Sequence, residues 1–152
     1  MRRSPLLVYA VGLAILGCTV LTAPDIAHTT FAASLNVDLP SMTQTTSGLY
    51  YKDLVVGSGP LLVAGQTVAI HYVGNLANGA QFDANNAPAT PFSFKLGSGQ
   101  VIAGFDEGIA GMHVGGKRQL VIPASLGYGA QASAGIPANS VLVFTVDVVS
   151  AQ

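Results

Sequence analysis

VIAGFDEGIAGMHVGGKRQLVIP, residues 101–123, carries two kinds of hydrophobic spacing in one run. Val101, Ile102, Phe105 and Ile109 recur at helical spacing and Gly111 follows where a helix would stop, so residues 101–110 predict one short helix. Residues 117–122 then read as a strand, because Leu120, Val121 and Ile122 are compact and partly β-branched. Upstream, residues 92–96 form a short strand candidate, residues 84–91 with Pro88 and Pro91 read as a loop, and Asn78-Gly79 marks a turn. Residues 67–76 alternate, with Val68, Ile70 and Tyr72 on one face and Ala69, His71 and Val73 on the other. Residues 49–56 are rich in aromatic and β-branched side chains and end in the turn signal Gly57-Ser58-Gly59-Pro60. Downstream, residues 140–149 place Leu142, Phe144, Val146 and Val148 on one face and Asp147 on the other. Strands, one helix and strands again, joined by links too short for parallel crossovers, predict an α+β fold with an antiparallel sheet packed on a single helix.

Composition narrows the chemistry. Six basic and seven acidic residues leave a net charge of −1, and the only basic pairs are Arg2-Arg3 and Lys117-Arg118. Nucleic acid is not an expected partner, since phosphate recognition needs a basic patch. The single cysteine, Cys18, lies in the N-terminal apolar run, which removes disulfides, thiolate zinc sites and a cysteine nucleophile from the rest of the chain.

Met1-Arg2-Arg3 followed by the uncharged run 6–21 reads as a signal peptide or N-terminal membrane anchor over residues 1–33, with small residues at Thr30, Ala32 and Ala33 for cleavage. The run falls short of the roughly 20 residues of a spanning helix. The string ILGC at 15–18 resembles a lipoprotein box with Cys18 as the lipidated residue, so cleaved, anchored and lipidated forms stay open. Residues 34–46, dominated by Ser, Thr, Asn and Gln around Pro40, predict a flexible linker. The folded domain is then expected over residues 47–152, in an exported, periplasmic or extracytoplasmic membrane-attached protein.

Candidate reactive groups are few. Of the three histidines, His28 lies near the export segment, while His71 and His113 stand alone, without metal-ligand spacing. A lone strand histidine reads as structural. Gly57-Ser58-Gly59 and Gly97-Ser98-Gly99 lack the spacing of a serine-nucleophile elbow, and the glycines near 97–104 miss the dinucleotide and phosphate-loop patterns. Asp106 and Glu107 are neighbours on the helix and point about 100° apart, which suits a solvated helix start better than a shared substrate. What remains is an aromatic and aliphatic set spread over the strands. A buried tyrosine within it needs a hydroxyl partner, which Asp83, next to Phe82, can provide.

HYVG at 71–74, NGAQFD at 78–83, PFSFKLG at 91–97, the block at 101–123, LGYG at 126–129 and IPANSVLVFTVDVV at 136–149, led by SGLYYKDLVVGSG, together resemble an FKBP-type peptidyl-prolyl cis/trans isomerase domain. The resemblance covers residues 47–152 in order. It implies a five-stranded antiparallel sheet wrapped around one short helix, no cofactor, and a proline-binding pocket. By position, Asp83, Tyr72, Tyr128 and Phe105 take the catalytic places, and Phe82, Phe92, Val101, Ile102, Ile136 and Phe144 the substrate-binding ones. The implied roles are a substrate carbonyl held by the Ile102 N–H, a second held by the Tyr128 hydroxyl, and Asp83 orienting Tyr72 or contacting the twisted amide. Phe105 stands where the family often has tryptophan, Pro88 where some members have an arginine beside the aspartate, and the loop GAQASAG before Ile136 is short. Proline-containing polypeptides are the implied partners, with macrolide inhibitors as further ligands and a monomer as the expected state. The function so implied is X-Pro isomerisation during folding of exported proteins; a non-catalytic chaperone or scaffold using the same pocket is the alternative.

Overall fold

The computed structural model describes residues 25–152. The apolar run 6–21 and Cys18, and with them the export and lipidation readings, lie outside the described residues. Among the described residues no helix is long and apolar enough to cross a membrane.

Seven strands form one antiparallel sheet: β1 (Thr43–Gln44), β2 (Tyr50–Val55), β3 (Thr67–Leu76), β4 (Gln81–Asn85), β5 (Phe92–Lys95), β6 (Lys117–Ile122) and β7 (Leu142–Ala151). The order across the sheet is β1-β2-β6-β7-β3-β4, with β5 also paired to β3. Among the described residues one α-helix, α1 (Ala103–Ile109), packs on one face of the sheet. The α+β architecture matches the expectation, with seven strands in place of five. The additions are β1, only two residues long, and β4, a weak strand former by sequence. Gln81–Asn85 holds Asp83 and Asn85, and becomes a strand because β3 is long enough to pair with β5 through its first half and β4 through its second. Residues 84 and 85, expected in a loop, belong to that strand.

The core follows the alternation. Val68 and Ile70 from β3, Leu120 and Ile122 from β6, and Leu142, Phe144, Val146 and Val148 from β7 pack with Phe105, Ile109 and Met112. The helix comes close because Gly104 and Gly108 face the sheet: a Cβ on Gly104 would lie 2.5 Å from Ile122 Cγ2, and one on Gly108 2.6 Å from Leu120 Cδ2. Arg118, only 7% exposed, spans three elements. Its Nε and Nη2 donate to the two Asp53 carboxylate oxygens at 2.7 and 2.9 Å, Nη1 donates to the Gly108 carbonyl at 2.9 Å, and the guanidinium lies 4.5 Å from the Tyr51 ring centroid.

The segment expected as a flexible linker is packed instead. Leu35, Val37, Leu39 and Met42, together with Ile26 and Phe31, cover Val121, Val141 and Val143 on the opposite side of the sheet from α1. Gln119 Nε2 donates to the Leu35 carbonyl at 2.7 Å, Ala32 N–H to the Ala77 carbonyl at 2.8 Å, and β1 pairs with β2. The polar majority in this stretch masks the apolar positions at 35, 37 and 39, which two 3-10 turns, Ala33–Leu35 and Leu39–Ser41, and a left-handed Asn36 (φ 49°) bring against the sheet. This cover is why β6 is buried on both faces, a pattern otherwise unusual in an antiparallel sheet.

Asp53→Ala would leave the Arg118 charge buried without its partner. A loss of about 3 kcal/mol in urea unfolding is expected, at the low end for a broken buried pair because Asp53 is 35% exposed. Replacing Leu35, Val37 and Leu39 together by serine should likewise lower the urea midpoint; an unchanged midpoint would return residues 34–46 to the status of a tether.

Candidate active site

A cavity of about 540 Å³ opens over the N-terminus of α1 and is lined by Tyr72, Asp83, Phe92, Gln100, Val101, Ile102, Phe105, Tyr128 and Phe144. Its size falls within the range usual for small-ligand clefts. Phe105 is the floor. Its ring meets Phe144 edge to face at 4.6 Å and Tyr72 at 5.8 Å between centroids. Phe92 closes a side against Tyr72 at 6.0 Å and is itself backed by Phe94 at 5.7 Å. The edge-to-face contacts of Phe105 and Tyr72 and the stacked Phe92–Phe94 pair hold the rings in place beyond what burial supplies.

The strand register explains how Tyr72 and Asp83 meet. Gly74 pairs with Asp83, but the next pair is Asn75 with Gln81, so Phe82 is the extra residue of a bulge. Asp83 therefore stands opposite Gly74, on the same face as Tyr72 two residues away, and the Tyr72 hydroxyl donates to Asp83 Oδ2 at 2.8 Å. The absent side chain at Gly74 makes room: a Cβ there would sit 2.5 Å from Phe144 Cε1 and 2.9 Å from Phe82 Cζ. Burial of the Tyr72 ring, the hydrogen bond to Asp83, and the charges of Asp83 and Tyr128 push the Tyr72 hydroxyl up to about 12 from its usual 10.0. Tyr72 is accordingly a neutral donor throughout the physiological range. Among the described residues no cation lies in salt-bridge range of Asp83, in line with Pro88 standing in the neighbouring loop.

Two further polar groups border the cavity. Ile102 caps the helix, with its carbonyl accepting from Phe105 N–H at 2.9 Å and Asp106 N–H at 3.3 Å, while its own N–H has no acceptor among the described residues. Tyr128, 42% exposed, is set by the turn after β6, where Gly127 and Gly129 N–H both donate to the Ala124 carbonyl.

Of the residues singled out from sequence, Phe82 and Ile136 lie outside the cavity wall. Phe82 backs Phe144 at 5.4 Å, and Ile136 is buried in the core, with its N–H and carbonyl both bonded to Ser133. Gln100 joins the wall and was not singled out. Its position directly before Val101-Ile102 is the only sequence signal for it. Its side-chain oxygen accepts from Lys95 N–H at 2.8 Å, which ties the residue to the end of β5. His71 is tied to Asn85 Oδ1 at 2.8 Å, and Asn85 in turn donates to the Thr90 carbonyl, so His71 braces the loop from β4 to β5. His113 bonds the Gly59 carbonyl at 2.9 Å. Asp106 and Glu107, expected to be solvated, both accept hydrogen bonds: Asp106 from Gly97 and Gly99 N–H, Glu107 from the Ser47 hydroxyl.

Comparison with known proteins agrees with this geometry. The sequence profile described as FKBP-type peptidyl-prolyl cis-trans isomerase matches residues 59–149. FK506-binding protein 4 of Gibberella zeae is 50% identical over 103 residues, covering 68% of this chain and 21% of that protein. A peptidyl-prolyl cis-trans isomerase of Saccharomyces cerevisiae is 48% identical over 111 residues, covering 73% of this chain and 27% of that protein. The chain thus spans about a quarter of these relatives. Among solved structures, AtFKBP13 superposes with a TM-score of 0.68 at 40% identity, covering 73% of this chain and 98% of that one. FkpA from Escherichia coli superposes with the same score at 37% identity, covering 74% and 52%. With the match spread over most of the sheet, the helix and the cavity between them, the chain belongs to the family of FKBP-type peptidyl-prolyl cis-trans isomerases.

Proposed function

We propose that the chain accelerates rotation about X-Pro peptide bonds in polypeptide substrates. The observation that carries this is the cavity itself: an aromatic floor and walls around Phe105, with two hydrogen-bond donors, Ile102 N–H and the Tyr128 hydroxyl, at its border. Rotation must break amide resonance against a barrier of about 18 to 20 kcal/mol, and the free process takes tens of seconds or longer. No bond to the protein is required. A planar amide is more strongly charge-separated than a twisted one, so an apolar cavity disfavours the ground state relative to the transition state. The Tyr128 hydroxyl then favours the twisted geometry if it reaches a flanking carbonyl only in that form, while the Ile102 N–H anchors planar and twisted substrate alike.

In this reading Phe105, Phe92, Phe144 and Tyr72 hold the proline ring. Ile102 N–H anchors a substrate carbonyl, Tyr128 holds a second, and Asp83 keeps Tyr72 in place while facing the twisted amide. Each tenfold in rate requires only about 1.4 kcal/mol of differential stabilisation, which a shaped cavity with a few hydrogen bonds can supply without an acid or base. Phe105 in place of an indole keeps the floor flat but offers no N–H to a ligand. The names of the relatives state isomerisation and FK506 binding; a macrolide would enter the same cavity here.

Met1-Arg2-Arg3 and the apolar run 6–21 support an exported protein, acting as a monomer on exported clients in the periplasm or another extracytoplasmic space, and retained, if at all, through residues 6–21 or a lipid on Cys18. Cleavage near Ala33 would strip Ile26 and Phe31 from the outer face of the sheet, so a cut before Asp25 suits the packed structure better. Mass measurement of the mature N-terminus in each cell fraction decides between these forms, and a cytosolic, full-length product would remove the export reading.

In a protease-free exchange assay on an X-Pro peptide, the full chain should be active, and Asp83→Ala and Phe105→Leu should each lower kcat/KM by about tenfold, the equivalent of about 1.4 kcal/mol. An inactive wild type that still suppresses aggregation of a proline-free client would instead make the cavity a binding module. Tyr72 also gives a pH signature. Its hydroxyl is raised in the folded state, so its contribution to stability is complete below pH 10 and is lost as pH rises from about 10 through about 12. Unfolding midpoints followed across that window should fall more steeply for wild type than for Tyr72→Phe, and parallel curves would contradict the burial of this hydroxyl.

A further inference from the structure

The loop between β5 and α1 delivers Gln100, Val101 and Ile102 to the cavity, and one carboxylate outside the cavity holds that loop. The backbone passes through positive φ at Gly97 (77°) and Gly99 (74°), conformations that glycine adopts without the strain other residues incur. Both of these residues turn their N–H groups to Asp106: Gly97 N–H donates to Oδ1 at 2.8 Å and Gly99 N–H to Oδ2 at 3.0 Å. Each carboxylate oxygen therefore has its own backbone donor, and charge-assisted bonds of this kind are roughly twice as strong as neutral ones.

Asp106 is joined to the same loop a second time through its backbone, since its N–H donates to the Ile102 carbonyl at 3.3 Å. The far end of the loop is closed by Gln100 Oε1 accepting from Lys95 N–H at 2.8 Å and Ser98 Oγ donating to the Lys95 carbonyl at 2.7 Å. Ile102 thus lies between a loop pinned by the Asp106 side chain and a helical turn pinned by its own carbonyl. Its free N–H is left in a defined direction beside the Phe105 floor.

We propose that Asp106 is a positioning residue for isomerisation: by binding Gly97 and Gly99 it fixes the Ile102 N–H that anchors the substrate. The proposal rests on the isomerase reading of the cavity. Asp106 itself is absent from the cavity wall, so it acts through the loop rather than on the substrate. Glu107, the next residue, supplies an internal control. Its carboxylate accepts from the Ser47 hydroxyl at 2.6 Å, on the side of the β1–β2 connection, and makes no bond to the loop.

The test compares Asp106→Ala, Asp106→Asn, Asp106→Glu and Glu107→Gln in the full chain. Kinetics come from protease-free exchange on an X-Pro peptide, peptide Kd from NMR titration, and folding from thermal melts. Losing a group that anchors ground and transition states alike raises KM with little change in kcat. Asp106→Ala and Asp106→Asn should therefore raise KM and Kd by about tenfold with kcat within about twofold, and should broaden the Ile102 amide resonance. Asp106→Glu should recover part of the affinity, and Glu107→Gln should match wild type. An unchanged Kd in folded Asp106→Ala overturns the proposal, as does an equal loss in Glu107→Gln or a loss that only follows the unfolded fraction. If wild type binds the peptide but does not turn it over, the isomerase reading fails separately, while the Kd and amide measurements still decide the role of Asp106.

Discussion

The close approach of α1 to β6 is the constraint on which the rest of the molecule depends. A helix of seven residues is too short to persist by itself in water, because nucleation is costly and few hydrogen bonds follow it. It persists here through tertiary contact. Gly104 and Gly108, four residues apart and so on one face, let the helix backbone settle onto Ile122 and Leu120, while Phe105 and Ile109 fill the space beside them. The depth of that contact sets the height of the Phe105 ring. A helix held further out by even one methyl group would carry Phe105 away from Phe144 and Tyr72 and change the floor of the cavity.

Arg118 reinforces the same junction from the edge. The Asp53 carboxylate satisfies its charge, and the Gly108 carbonyl takes its remaining arm, so β2, β6 and the C-terminal half of α1 are joined by one planar group. Arginine suits this place because its fork presents parallel donors to a carboxylate and still has another N–H to offer. On the other side of the sheet the N-terminal segment does comparable work with apolar contacts, covering Val121, Val141 and Val143. The sheet therefore has a covered outer surface under β6 and β7, the strands that carry Phe144 and the turn to Tyr128.

The cavity unites groups from distant parts of the chain, and the polar ones are held by different means. Tyr72 and Asp83 satisfy one another across the β3–β4 bulge. Ile102 offers a backbone donor at a helix start, where unpaired N–H groups are an ordinary consequence of helix geometry. Tyr128 hangs from a glycine-rich turn and is exposed. The rest of the wall is aromatic and aliphatic, with Phe92, Phe105, Phe144 and Val101 among its lining residues.

The layout is legible locally: the period-2 runs at β3 and β7, the helical spacing of Val101, Ile102, Phe105 and Ile109, and the turn glycines between them each reflect the backbone period of their own element. Ordered blocks resembling one family then pointed to most of the cavity wall, including Asp83, Phe105 and Tyr128. Tertiary structure alone decided what depends on pairing and contact between remote residues. The bulge at Phe82 turned Asp83 toward Tyr72, Phe82 and Ile136 fell behind the wall, and Gln100 entered it. Asp106, read as a solvated helix start, became the clasp of the preceding loop, and residues 34–46, read as a linker, became a cover for the sheet. In each case the deciding partner lies in another element, and composition or spacing within a single stretch contains no record of which surface that stretch will meet.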